Sequence, residues 1–524
     1  MSDSPYILAI DLGTSGPKVA LVATTGEVIG CAVETVDLLL LPGGGAEQRP
    51  ADWWAAICAA ARHLLAETPV APERIVGVAC TAQWSGTVAV DAAGAPLMNA
   101  LIWMDSRGEP YVRRMTGGPL RIQGYGPGKL LRWLRLTGGA PTHAGKDSIA
   151  HILYLKHARP EIYRAAATFL EPKDYLNLVL TGRRAASFDS IILHWVTDNR
   201  DARHVRYDEG LLAMAGVARE KLPELLPGDS VLGPLMPGPA AELGVPAGLP
   251  VVVGTPDLHS AAIGAGSVDD YAANLYIGTS SWLTCHVPFK KADLLHNMAS
   301  LPSPLPGRYL LINEQECAGA CLRFLRDGLI FPDDALALGP GPADAYRRFD
   351  DLAAGVPAGS GGLIFTPWLY GERTPVEDHT LRGGLFNLSL DTTRAQVVRA
   401  VLEGVAYNSR WLLGHVERFI GRRLEAINIA GGGATSELWC QIYADVLDRP
   451  IRQVAAPVQI NARGAGLLAA AALGHAPYVG LGSRVPVAST FTPNQRTRPV
   501  YDRLFREYLG LYRATRGMYA RLNG

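Results

Sequence analysis

The sequence carries no excess of either charge: Lys+Arg and Asp+Glu number 49 each over 524 residues. A neutral chain sets up no field that gathers nucleic acid or an anionic membrane, so any anionic ligand has to be held by local geometry. Cysteine is sparse. The seven are scattered, and the closest pair, Cys317 and Cys321, falls at helical spacing with no second pair. That excludes a disulfide framework and a zinc site and fits a reduced compartment. No apolar run reaches the roughly 18 residues of a membrane span without Gly, Pro or a charge. The N-terminus enters a strand at once, with no basic leader ahead of it. These absences leave the expectation of a soluble cytoplasmic globule with neither nucleic-acid nor membrane partners. Its length suits two domains of about 250 residues.

What is present is organised around LPVVVGTPDLHSAAIGAG, residues 249–266. Val251-Val252-Val253 has the β-branching of a short buried strand. Gly254 stops it, Asp257 follows, and SAAIGAG is small enough to pack a helix tightly. One carboxylate thus stands between a strand's C-terminal end and a helix's N-terminal end, where open α/β sheets hold ligands. On its own, Asp257 reads equally as a helix N-cap.

Two further stretches repeat each other. Tyr6–Ile10 runs into DLGTSGPK (11–18) and out through an apolar run, which is a hairpin with a Gly-rich turn. The backbone N–H groups of that turn, the hydroxyls of Thr14 and Ser15, and Lys18 can cradle phosphate oxygens. LYIGTSSWL (275–283) is a second strand, turn and strand of the same kind, about half the chain further on, and suggests a duplicated domain. Near the C-terminus, Gly431–Gly433 in INIAGGGATSELW lie between a strand and a helix N-terminus, where bare backbone admits phosphate or ribose oxygens.

Taken in order, these motifs resemble the FGGY family of carbohydrate kinases, within the sugar kinase, actin and heat-shock chaperone superfamily, and xylulokinases above all. The resemblance runs from about residue 6 to about 510. It implies an α/β fold of two duplicated actin-like, ribonuclease H-like ATPase domains flanking a cleft. Pro/Gly density rises over 230–250, which sets the expected boundary between domains 1–250 and 251–524. DLGTSGPK resembles the first phosphate loop, implying Gly13, Thr14, Ser15 and Lys18 as nucleotide contacts, and LYIGTSS the second, implying Gly278, Thr279 and Ser280. The adenosine motif implies Gly432, Gly433 and Ser436, and Gly319 resembles a position near the nucleotide. GTPDLHSAAIGAG resembles the catalytic segment, with Asp257 as the base and Asp11 and Asp257 as carboxylates for Mg²⁺.

The acceptor side departs from the pattern. Where xylulokinases carry Gln-Met-His-Gly, this chain has Gln83-Trp84-Ser85-Gly86. Leu258 stands where an amide usually follows the catalytic aspartate. ALIWMDSRG matches Trp-x-Asp-x-Arg, so Asp105 and Arg107 join Gln83, Trp84, Ser85, Asp257 and Leu258 as implied sugar contacts; Arg107 reads equally as a structural ion-pair partner. Residues 117–146 are Gly-rich and basic and read as a long insertion or a mobile loop at the cleft mouth. Gly-Glu-Arg-Thr-Pro at 371–375 matches a family motif whose charges brace the cleft, and Trp53 and Trp54 read as core. The implied reaction is ATP-dependent phosphorylation of a ketose such as D-xylulose, with ATP and Mg²⁺ as cofactors and a homodimer left open. A kinase for another ketose or polyol (ribulose, a tetritol, glycerol) and a non-catalytic nucleotide- or sugar-binding regulator remain the alternatives.

Overall fold

The computed structural model describes residues 4–336, 339 and 341–524. Two mixed sheets of related topology dominate it. In the first, β1 (Tyr6–Gly13) and β2 (Gly16–Ala23) form the expected hairpin, and β3 (Val28–Val33) pairs antiparallel with β2. On the other side of β1 lie β4 (Ile75–Ala82), parallel to it, then β6 (Pro250–Val252), parallel to β4. The edge strand β5 (Val231–Pro234) runs antiparallel to β6. The order is β5-β6-β4-β1-β2-β3.

The second sheet repeats the scheme. Its strands are β7 (Ala273–Ile277), β8 (Ser281–Val287), β9 (Ala292–Asp293), β10 (Met298–Pro302), β11 (Tyr309–Ile312), β12 (Ile427–Ala430), β13 (Ile451–Val454) and β14 (Val487–Phe491). Their order is β9-β10-β11-β8-β7-β12-β13-β14. Strands β11, β8, β7, β12, β13 and β14 match β3, β2, β1, β4, β6 and β5 in position and direction. The duplication read from two Gly-Thr-Ser turns is therefore a duplication of whole sheets.

One difference concerns the expected boundary. Strand β6 would fall almost wholly in the second half if the chain were cut after residue 250, yet Val251 and Val252 pair with Val78 and Ala79 of the first sheet. The Pro/Gly-rich stretch before it is an excursion that carries the edge strand β5 and a short helix, Pro237–Leu243.

Side-chain alternation explains how the sheets are covered. Along β1, Tyr6, Leu8, Ile10 and Leu12 face a core built with α1 (Pro50–Glu67), whereas Ile7 and Ala9 face the opposite side. That second side is covered by α4 (Asp257–Gly264) and α8 (Ile460–Ala472), the latter drawn from the far end of the sequence. Both are too rich in Ala and Gly to show a strong amphipathic stripe, because both are buried almost all round. The second sheet builds its own core against α6 (Arg394–Ile420) and α7 (Glu437–Leu447).

The Gly-rich segment 117–146 is folded. Helix α2 (Pro127–Leu136) buries Trp133, whose Nε1 donates to the Trp195 carbonyl at 3.0 Å. Lys290 from the second half donates to the carbonyls of Leu134 and Arg135, at the end of that helix. A cation there answers the helix's last carbonyls and its dipole. Within the segment read as a long insertion or a mobile loop, the hydrophobic spacing of Leu130, Trp133 and Leu136 gives a packed helix. All seven cysteines are free thiols, six of them buried. Among the described residues no helix is long and apolar enough to cross a membrane.

Candidate active site

Residues singled out from the sequence lie at or just past the C-terminal ends of β1, β4 and β6 in the first sheet and of β7 and β12 in the second. Asp11 lies near the end of β1, opposite Lys18 on β2, in a pair fixed by the hairpin register. Lys18 Nζ stands 3.5 Å from Asp11 Oδ2, and Asn461 Nδ2 of α8 stands 3.5 Å from Oδ1. Both are at the outer limit of a hydrogen bond, so the buried carboxylate keeps lone pairs to offer. Burial raises the Asp11 pKa, against the pull of the Lys18 charge.

Asp257 is the first residue of α4 rather than its N-cap, which is Pro256. Its Oδ1 accepts the Leu258 N–H at 2.8 Å, and the side chain remains partly open to solvent on the cleft wall. Crowding by protein, and then the negative charge of Asp11, push its pKa up to about 7. A buried carboxylate, Asp11, that raises the pKa of a second one, Asp257, with Lys18 the cation acting on both, makes a site that favours a further cation. Tyr276, at the end of β7, feels the same two charges: burial, then Asp11 and Asp257, push its phenol up to about 12. Its ring stacks on Trp282 with centroids 4.2 Å apart.

The second and third glycine turns meet at Ile277, and the first lies at the end of β1, two residues past Asp11. In the first, Gly13 pairs with Gly16, whose φ of +141° leaves no space for a side chain: a Cβ would meet the Glu34 carbonyl at 2.0 Å. Ser15 is exposed at the tip. The Thr14 hydroxyl is not free: it donates to Gln83 Oε1 at 3.1 Å and accepts from Trp103 Nε1 at 2.9 Å. What Thr14 offers a phosphate is its backbone. In the second turn the Gly278 N–H donates to the Ser280 carbonyl, and Arg323 reaches the Thr279 hydroxyl at 3.2 Å. Gly319, the first residue of α5 (Gly319–Phe324), packs on this turn with its N–H on the Gly278 carbonyl. In the third, Gly431 and Gly433 press against Ile277 at the end of β7, while Gly432 faces open space. Ser436 caps α7, accepting the Trp439 N–H at 3.0 Å, and Trp439 is buried with its Nε1 on the Leu402 carbonyl. Trp439 is therefore core.

The residues expected to contact the acceptor lie beside the first hairpin. Gln83 is buried and held by protein on both ends of its amide. Trp84 donates to the Ser190 carbonyl and meets the His259 ring edge-on at 5.3 Å. Ser85 takes a left-handed φ of 68°, and its hydroxyl donates to the Lys146 carbonyl at 2.7 Å. Asp105 is fully buried: Oδ2 accepts the Ala46 N–H and both oxygens engage Arg107. Arg107 also binds Glu47 at 2.7 Å and covers the Tyr154 ring. In this arrangement Asp105 and Arg107 satisfy one another, which favours the structural reading of Arg107. Leu258 is partly exposed beside Asp257. Further along the cleft, Arg373 pairs with Glu314 and Glu316, and Glu372 accepts the N–H groups of Glu316 and Arg373. His151 is buried between Thr87 and the Asp105 carbonyl. Trp53 is core, whereas Trp54 lies half-buried at the surface, donating to Glu242.

Sequence reasoning passed over Gln48, Trp103, Tyr276 and Asn461. Trp103 and Tyr276 lie inside stretches already singled out, ALIWMDSRG and LYIGTSSWL, where the charged residues and the Gly-Thr-Ser turn drew attention instead. Nothing in the apolar helix α8 marks Asn461, since its partner Asp11 lies 450 residues away.

Comparison with known proteins adds the following. The model of the FGGY family of carbohydrate kinases, N-terminal domain, matches residues 6–264, and that of the family's C-terminal domain matches residues 273–473. A xylulose kinase of Staphylococcus epidermidis is 28% identical over 98% of each chain. An autoinducer-2 kinase of Yersinia enterocolitica is 28% identical over 91% of this chain and 87% of its own. Among solved structures, a xylulose kinase from Rhodospirillum rubrum superposes with a TM-score of 0.84 at 27% identity, covering 98% of this chain and 100% of that one.

Proposed function

The chain belongs to the FGGY family of carbohydrate kinases, and on that premise we propose that it transfers the γ-phosphoryl group of ATP to a hydroxyl of a ketose, D-xylulose giving D-xylulose 5-phosphate. The observation that carries this reading is Asp257, a partly exposed carboxylate at a helix start whose pKa is pushed up to about 7 by burial and by the charge of Asp11.

Phosphoryl transfer is achieved mostly by positioning and charge neutralisation. The backbones of the turns at 13–15 and 278–280 would hold the phosphates from opposite sides, and Gly432 and Gly433 would border the nucleoside. Asp11 and Asp257 would hold Mg²⁺, which supplies neutralisation of the phosphate charge. Asp257 accepts the proton of the attacking hydroxyl as its oxygen bonds to the γ-phosphorus; the bond from that phosphorus to the bridging oxygen breaks, and ADP leaves. Closure of the two halves keeps water, a competing acceptor, out of the cleft.

The test is ADP release measured against a panel of ketoses and polyols. Release that depends on one sugar supports the kinase reading and names the acceptor; release that no sugar raises above background overturns it and favours a nucleotide-binding regulator. A base with its pKa near 7 also sets a pH expectation: kcat/KM rises about tenfold per pH unit below about 7 and levels above it, because only ionised Asp257 takes the proton. A rate independent of pH between 5.5 and 8 would remove Asp257 from that role.

The residues expected around the sugar leave it few polar partners. Trp84 and Ser85 spend their polar atoms on backbone carbonyls, and Leu258 offers none. Sites that bind hydroxyls through buried polar groups discriminate strongly, and those lined by apolar groups do so weakly. Leu258→Asn is therefore expected to change the ranking of accepted ketoses by tenfold or more in kcat/KM for at least one pair. An unaltered ranking would place this position away from the acceptor.

A further inference from the structure

Five side chains form one hydrogen-bonded chain from the core of the first half to the cleft. Trp53 Nε1 donates to Gln48 Oε1 at 3.1 Å, and Gln83 Nε2 donates to the same oxygen at 2.8 Å. Gln48 Nε2 donates to the Thr14 carbonyl at 2.8 Å and to the Asp37 carbonyl at 3.4 Å. The Thr14 hydroxyl donates to Gln83 Oε1, and Trp103 Nε1 donates to the Thr14 hydroxyl. Trp53 and Gln48 are fully buried and Gln83 nearly so, whereas Trp103 is 42% exposed.

The direction of every bond is fixed by its ends. An indole nitrogen can only donate, so Trp53 requires the Gln48 oxygen on its side and turns the Gln48 NH₂ group to the Thr14 carbonyl. Gln83 must then present its NH₂ to Gln48 and its oxygen to Thr14. Thr14 must donate to Gln83, because the Gln83 amide oxygen can only accept, and the second indole, Trp103, donates to a lone pair of the same hydroxyl. No member can flip without leaving a buried donor unpaired, at a cost of about 1–3 kcal/mol.

We propose that Gln48 and Trp103 are positioning residues, and that this one-way network couples the acceptor side of the cleft to the first phosphate turn. The inference rests on the kinase reading above. Gln48 holds the turn by both the backbone carbonyl and, through Gln83, the hydroxyl of Thr14, so the turn's N–H groups face the phosphates and the hydroxyl proton faces away. Pressure on the exposed Trp103 indole is transmitted to Thr14 through a single hydrogen bond. Occupancy of the acceptor side and grip on the phosphates are thereby linked, and the linkage is reciprocal.

The experiment uses the full chain and reads sugar-dependent ADP release divided by sugar-independent release. Gln48→Leu and Thr14→Val are each expected to lower this ratio about tenfold, with the double variant no worse than either, because both break one network. Trp103→Phe keeps the exposed ring, loses only the N–H and lowers the ratio severalfold. The inference is overturned if the two losses multiply in the double variant, or if Gln48→Leu lowers only the melting temperature. If the wild-type chain shows no sugar-dependent release at all, the kinase reading fails first. The network is then judged by the ATP dissociation constant, which Gln48→Leu and Thr14→Val must weaken equally and non-additively.

Discussion

Asp257→Asn is expected to abolish sugar-dependent ADP release, lowering kcat by about 10²–10⁴-fold, the range a general base supplies, while ATP binding is retained. Asparagine keeps the shape of the side chain and its acceptor for the Leu258 N–H. It removes the charge that takes the proton. It also removes a penalty. The folded-state pKa of Asp257 is about 7, against about 3.9 for an unperturbed aspartate. The folded state therefore binds this proton more tightly than the unfolded state. The stability this confers is fully present below about pH 4 and is lost as pH rises through 7. Relative to wild type, Asp257→Asn should show little difference in melting temperature at pH 4 and an equal or higher one at pH 8. An inactive variant with a raised melting temperature at pH 8 is the signature of a strained functional carboxylate. Loss of activity together with loss of stability at pH 8 would mean a structural role for Asp257.

That carboxylate could be found in the sequence because its surroundings are local: a β-branched run, a glycine stop and a helix of small residues within 18 positions. The two hairpins were legible for the same reason. A Gly-Thr-Ser turn flanked by apolar runs has few other ways to fold, and its recurrence half a chain later implied the duplication. What could not be read is whatever depends on partners far apart in sequence. Asp105 and Arg107 look like a pair of ligands in WMDSRG, yet Ala46 and Glu47 complete a buried cluster around them. Thr14 looks like a phosphate hydroxyl until Gln83 and Trp103 claim both its proton and its lone pair. Composition alone does not show two features: the glycines of 117–146 surround α2, packed by Trp133, and the prolines and glycines of 230–250 lead through β5 into β6 of the first sheet.

The largest stability effect expected outside the cleft lies where α4 crosses α8. A Cβ on Gly464 would fall 1.8 Å from the Ser260 carbonyl oxygen, and one on Gly264 would fall 1.8 Å from the Ile460 carbonyl oxygen. Both obstacles are backbone, so no rotamer change relieves them; one helix has to move away from the other. Overpacking a core costs about 1–3 kcal/mol where side chains can yield, and Gly464→Ala should reach or exceed the top of that range. The same shift acts on function, because α4 begins at Asp257 and α8 carries Asn461 beside Asp11. A displacement of about 1 Å at a reacting group lowers rates about 10²-fold. Gly464→Ala is thus expected to lower melting temperature and kcat together. Gly510, inside the helix Arg498–Asn523 with nothing within 4 Å of a Cβ, is the matched control. Gly510→Ala should stabilise by about 0.5–1 kcal/mol through helix propensity alone and leave kcat unchanged. If Gly464→Ala behaves like Gly510→Ala, the two helices have room to separate, and the crossing does not hold Asp257 against Asp11.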